Sequence, residues 1–142
     1  MSLKVELKPH ERLIVGNSII TNSDQRTRLI IEGKAPVLRE KDILSAATAT
    51  SPAKRIYFAV QLMYLGDNVE RFRRDYFSLV TDLVRAAPSM TGMVDEINNE
   101  ILTGHLYKAL RAAKRLIQYE QELLLHAPAS DAGVPAGGEA NR

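Results

Sequence analysis

Gly33-Lys34-Ala35-Pro36-Val37-Leu38-Arg39-Glu40-Lys41-Asp42-Ile43-Leu44 decides how this chain folds, because one kind of patterning ends in it and another begins. Pro36 has a fixed φ and no N–H to donate, so it is tolerated at the start of a strand. Val37-Leu38-Arg39 completes that strand, and Arg39 stands where strand gives way to helix. Upstream, four more runs read as strands. Leu3-Lys4-Val5-Glu6-Leu7 alternates apolar and charged residues, the period of a half-buried strand, and Pro9-His10 breaks it. Arg12-Leu13-Ile14-Val15 is closed by Gly16-Asn17. Ser18-Ile19-Ile20-Thr21 ends at the polar cluster Asn22-Ser23-Asp24, a composition that favours turns. Arg26-Thr27-Arg28-Leu29-Ile30-Ile31 then runs to Gly33. Five short strands with tight connections predict a small antiparallel β-block over residues 1–44, built as a meander or barrel-like sheet.

Downstream the period becomes helical. Ser51-Pro52 places a capping hydroxyl before a proline at the first helical position. The segment to Leu65 is apolar nearly all round, as a central helix would be. Gly66 fits its stop, and Asp67 with Glu70 three residues on fits the cap of the next helix. Val69, Phe72, Tyr76, Leu79, Val80 and Leu83 predict that helix's buried stripe, ended by Pro88. A third helix is expected over about 91–102, with Met93, Val94, Ile97 and Ile101 inward. A fourth follows Gly104 and runs to about Leu125, with Leu106, Leu110, Ala113, Ile117 and Leu124 on one face. The fold class is therefore α+β: a five-stranded antiparallel block followed by a bundle of about four helices over 51–126. Residues 127–142, rich in Ala, Gly and Pro, are expected to be a disordered tail.

Composition narrows the chemistry. The chain of 142 residues has no cysteine, so a disulfide framework, a thiolate metal site and a Cys nucleophile are excluded. No apolar run approaches the roughly 20 residues that span a bilayer. Lys4, Glu6 and Lys8 interrupt any apolar core of a secretory signal, so a cytoplasmic location is expected. His10, His105 and His126 are far apart and fit no metal or catalytic motif, and no phosphate-cradling glycine loop or nucleophile elbow occurs. Glu96 and Glu100, one helical turn apart, read as a solvated helix face. No enzyme, metal or cofactor is expected.

Basic residues are the remaining signal. The first 44 residues carry eight Lys/Arg against six Asp/Glu, within a chain of net charge +2. The candidate contacts are Lys4, Lys8, Arg12, Arg26, Arg28, Lys34 and Arg39, with Lys41 beside them. All eight aromatic residues lie beyond residue 56, which excludes an RNA readout built on aromatic stacking from this sheet. Such a block would use guanidinium, ammonium and backbone contacts instead. Arg71-Phe72-Arg73-Arg74 reads as a solvated face beside a buried stripe. Lys108, Arg111, Lys114 and Arg115 form a second basic set with no acid between Ile101 and Tyr119.

Glu11-Arg12-Leu13-Ile14-Val15-Gly16, the Gly33 to Ala35-Pro36 turn and Val37-Leu38-Arg39-Glu40 resemble, in that order, pieces of CsrA, an aromatic-free RNA-binding translational regulator. That resemblance implies a CsrA-like β-block with Arg39 as an RNA contact. Leu3-Lys4-Val5-Glu6-Leu7-Lys8-Pro9, Ile20-Thr21-Asn22, Gln25-Arg26-Thr27-Arg28, Ala35 to Glu40 and Ala59-Val60-Gln61-Leu62-Met63-Tyr64 are similar to the FlbT family of flagellin-translation regulators. This wider resemblance spans residues 1 to about 126. It implies a post-transcriptional regulator of flagellum biogenesis that binds the 5′ leader of flagellin mRNA and represses its translation or promotes its decay. The competing expectation is a helical adaptor or chaperone for flagellin or another flagellar protein. A homo-oligomer is a further candidate assembly, and a membrane is not expected as a partner.

Overall fold

A computed structural model of the chain describes residues 2–66 and 69–126. The expected tail over 127–142 and the expected cap at Asp67 lie outside them. Among the described residues the architecture is α+β, with five antiparallel strands followed by four α-helices. The described residues fall into two compact units that divide between Asp82 and Leu83.

In the first unit the strands are β1 (Ser2–Leu7), β2 (Arg12–Val15), β3 (Ser18–Thr21), β4 (Thr27–Glu32) and β5 (Val37–Arg39). A simple meander would pair β1 with β2. Instead β1 pairs with β4, from Ser2↔Glu32 to Leu7↔Thr27, while β2 lies between β3 and β5. The connection between β1 and β2 explains the difference. Its Glu11 amide donates to the Lys8 carbonyl at 3.0 Å, and Glu11 Oε1 accepts from the Lys8 amide at 2.8 Å. His10 takes the left-handed conformation, φ 65°, and its amide donates to the Ser23 carbonyl at 2.8 Å. These bonds fold the connection on itself and on the next turn, so β2 enters a second sheet. β2 and β3 form a hairpin across Gly16-Asn17, where Gly16 at φ 63° supplies the positive φ that two-residue hairpin turns require.

Alternation along the strands makes the core. Val5, Leu7 and Leu13 are buried, with Val15, Leu29, Ile31 and Val37 packed on them. Helix α1 (Pro52–Leu65) starts as expected, with Ser51 Oγ accepting from the Lys54 amide at 3.2 Å. Tyr57, Gln61 and Tyr64 lie on one stripe of α1 and bond to the segment that follows β4. The Tyr57 hydroxyl donates to the Asp42 carbonyl at 2.5 Å, and Gln61 exchanges two bonds of 2.9 Å with the Leu44 main chain. Tyr64 engages both main-chain groups of Val37. The helix thereby occupies main-chain groups of β5 and of the loop after it, which would otherwise offer an open edge. Gly66 ends α1 at φ −96°, so its role is steric: a Cβ there would sit 2.8 Å from the Leu62 carbonyl oxygen. Helix α2 (Val69–Ala86) follows; Tyr76 and Val80 are buried, and Phe72 and Leu79 half-buried.

In the second unit α3 (Thr91–Leu102) and α4 (Leu106–His126) form an antiparallel hairpin around Gly104, φ 81°. Val94, Ile97 and Ile101 are buried, as are Leu110, Ala113 and Leu116. Arg115 pairs with Glu96 of α3, so the second basic set is partly compensated by an acid distant in sequence. Leu124, expected inward, is 71% exposed. Among the described residues no helix is long and apolar enough to cross a membrane.

Candidate nucleic-acid interface

Strand register gathers most of the predicted basic residues. β1 ends beside the start of β4, and β2 starts beside the ends of β3 and β5. The connections 8–11 and 22–26 therefore lie at one end of the block. Asn22 ties them together: its Nδ2 donates to the carbonyls of Leu7, Lys8 and Gln25 at 3.2, 2.8 and 2.8 Å, and its Oδ1 accepts from the Ser23 amide at 2.9 Å. This side chain is buried and fully used. Lys8, Arg12, Arg26, Arg28 and Arg39 all belong to this end. Lys4 lies mid-strand, opposite Ile30, on the outer face that also carries Glu6 and Arg28. Lys34 lies in the connection between β4 and β5, at the opposite end, and is not part of the cluster.

Glu6 is the centre of the cluster. Its carboxylate lies 3.3 Å from Arg28 Nη2, its cross-strand neighbour, and 3.6 Å from Arg26 Nη1. Its main-chain carbonyl accepts from Arg39 Nη2 at 3.2 Å. The register explains that reach. Arg39 is the Cα partner of Leu13, and Leu13 points into the layer between the sheets. Arg39 therefore leaves β5 on the inward face and crosses at the rim to β1. The local acids Glu40, Asp42 and Glu32 do not take it. Glu40 instead accepts from the Arg12 amide at 2.7 Å and lies 3.6 Å from its guanidinium. Half or more of the Arg12, Arg26, Arg28 and Glu6 side chains is exposed. Such pairs add about 0–1 kcal/mol each to stability. Their donors remain open to solvent: a guanidinium has five, and one carboxylate uses only part of that fork.

Glu6 was not among the sequence-derived candidates. Its alternation signal was visible, but its role depends on the β1–β4 register, which no local pattern specifies. The other basic sets differ: Lys108, Arg111, Lys114 and Arg115 are exposed on α4, with Arg115 paired to Glu96, whereas the Arg71–Arg74 stretch is partly engaged. Arg73 pairs with Glu70 at 3.1 Å, and the Arg71 guanidinium lies 5.4 Å from the Phe72 ring centre. His105 Nδ1 lies 2.9 Å from Thr103 Oγ1 and 3.4 Å from Glu100. Among the described residues no group of three or more His, Asp or Glu is placed to hold a metal ion. The first unit also holds a groove of about 460 Å³ lined by Phe58, Leu62, Phe72 and Leu79, with Arg55 and Asp75 as its charged residues.

The sequence matches the family model described as Flagellar protein FlbT over residues 3–124. A Bradyrhizobium diazoefficiens protein named Probable flagellum biosynthesis repressor protein FlbT 1 is 56% identical over 124 residues, covering 87% of this chain and 85% of that one. A Rhodopseudomonas palustris protein named Probable flagellum biosynthesis repressor protein FlbT is 51% identical, covering 87% and 98%. The Flagellum biosynthesis repressor protein FlbT of Caulobacter vibrioides is 36% identical over 143 residues, covering 99% of each chain. No solved structure matches.

Proposed function

The chain belongs to the FlbT family of flagellar proteins, and from that premise we propose that it regulates flagellum biogenesis after transcription, as a non-enzymatic cytoplasmic repressor. Its target is the 5′ leader of flagellin mRNA, whose translation it blocks or whose decay it promotes. The β-block over 1–44 contacts the message, the helical block over 51–126 stabilises it or recruits further factors, and the tail over 127–142 is dispensable for binding. The observation that carries this reading is the gathering of Arg26, Arg28 and Arg39 on Glu6, at an end that also holds Lys8 and Arg12. Guanidinium forks suit phosphate oxygens and guanine edges, and they supply an RNA contact where aromatic stacking is absent. Lys4 extends the surface along β1. Lys34 joins only if the RNA runs the length of the block, about 20 Å for a six-residue strand.

Binding of the purified chain to its flagellin leader, titrated with salt, tests this. Phosphate contacts give an affinity that falls steeply as salt rises. A leader that binds no better than an unrelated RNA of equal length, or binding indifferent to salt, would sink the proposal.

A second reading rests on the groove between Phe58, Leu62, Phe72 and Leu79. Half-buried aromatics and leucines of this kind suit an apolar partner segment, so the chain would act as an adaptor for flagellin or another flagellar protein. Leu62→Lys would then abolish function while leader binding stays at the parent level.

A further inference from the structure

We infer that Glu6 is a positioning residue for RNA: its carboxylate holds Arg26 and Arg28, beside the Arg39 that its main-chain carbonyl takes, in the arrangement a phosphodiester requires. This rests on the RNA-binding reading above and adds to it a role for a negative charge inside a positive surface. The geometry is specific. The two carboxylate oxygens of Glu6 are divided between two arginines, Oε1 toward Arg26 and Oε2 toward Arg28. The main-chain carbonyl of the same residue takes the third, Arg39. Arg26 and Arg28 come from β4 and the turn before it, Arg39 from β5, and Glu6 from β1. One residue thus joins arginines from two sheets.

Exposed pairs of this kind do little for stability, so the arrangement calls for another explanation. An unconstrained arginine loses rotamer freedom when it binds an anion, and a side chain already held in place loses less. Each arginine gives Glu6 only part of its fork. The remaining N–H groups stay free for an anion, and the three positive charges exceed the single negative one. The local acids fit the same pattern. Glu11 is occupied by the Lys8 amide, and Glu40 by the Arg12 amide and guanidinium.

The alternative role for Glu6 is an electrostatic brake, a charge that weakens attraction to RNA. The two roles predict opposite signs. Glu6→Gln raises the net charge by one, so removal of a brake tightens leader binding. Loss of a positioning acid weakens it, by about tenfold for a charge-assisted contact set of this size. Glu6→Asp retains the charge on a shorter arm and should recover part of the loss, which a purely structural defect would not predict. In an Arg26→Ala/Arg28→Ala background Glu6→Gln should have little further effect, because the groups it holds are gone. Thermal melting of each variant checks that the exposed substitution leaves the fold intact.

The parent protein failing to prefer its leader overturns the RNA-binding reading itself. Glu6→Gln binding as well as or better than the parent, or its effect adding fully to that of the arginine pair, overturns the positioning role alone. A loss that is rescued by Glu6→Asp and absent in the arginine-free background supports it.

Discussion

The Tyr64 hydroxyl accepts from the Val37 amide at 3.1 Å and donates to the Val37 carbonyl at 3.0 Å, so one side chain of α1 satisfies both main-chain groups of a residue in β5. With Gln61 doing the same for Leu44, the helix provides on β5 and its following loop what a neighbouring strand would provide. Tyr64→Phe leaves both Val37 groups to water or unpaired. We expect a loss of about 1–2 kcal/mol in denaturant unfolding, with leader binding unchanged. An unchanged midpoint would mean that the edge is satisfied in another way.

Asn22 is the second such device. Asn22→Ala removes an amide whose two N–H donors are shared among three carbonyls, and one accepted bond, from a buried site. The expected cost is about 2–3 kcal/mol. Asn22→Asp should also destabilise, since a carboxylate cannot donate to the Leu7, Lys8 and Gln25 carbonyls. Urea melts of both variants test this; an Asp variant as stable as the parent would contradict the assigned orientation of the amide.

Arg39 is expected to separate stability from binding. Arg39→Ala loses one exposed bond to Glu6 and should leave the melting temperature close to that of the parent. It should weaken leader RNA binding by about 1–3 kcal/mol. Arg39→Lys should also lose affinity, because a single ammonium cannot span Glu6 and an anion as a fork does. Parent-like binding by Arg39→Ala, with binding abolished by Arg111→Ala/Arg115→Ala, would move the interface to α4.

Alkaline pH should expose Tyr76. Its side chain is fully buried, and burial pushes the phenol above its ordinary value. A raised pKa means that the unfolded chain releases this proton first. The stabilisation is therefore complete below the unfolded value of about 10 and is lost as pH rises from there toward the folded value. The loss reaches at most about 1.4 kcal/mol per pH unit for one proton. In ultraviolet titration one tyrosine should ionise only together with unfolding, and Tyr76→Phe should remove that step.

Much of the fold was legible in the sequence. Ser51-Pro52 marks the first helix, and the β-like runs Arg12–Val15 and Ser18–Thr21 coincide with strands. Pairing was not legible, because it depends on turn geometry. A left-handed His10 is not announced by residue type, and Asn22 looks like any turn asparagine until its three carbonyl partners meet. Leu124 was misplaced for another reason. α4 has 21 residues and α3 only 12, so periodicity continues past the end of the facing helix. Tyr119 still reaches Ser89 at 3.3 Å, whereas Leu123, Leu124 and Leu125 are exposed. At the site, the positive charges could be seen from composition, but the residue on which three of them meet, two at its carboxylate and one at its main-chain carbonyl, could not. Glu6 is 22 residues from Arg28 and 33 from Arg39.

The face assignment of β5 has an evolutionary consequence. Val37 and Arg39 share the inward face because they are two residues apart, and Leu38 takes the other. Chemical drift within Gly33–Pro36 leaves that parity intact. Deletion or insertion of a single residue between Pro36 and Arg39 inverts it, turning Arg39 away from Glu6 and moving Leu38 into the layer that Val37 fills. Related chains should therefore tolerate substitutions here far more readily than odd-numbered changes in length.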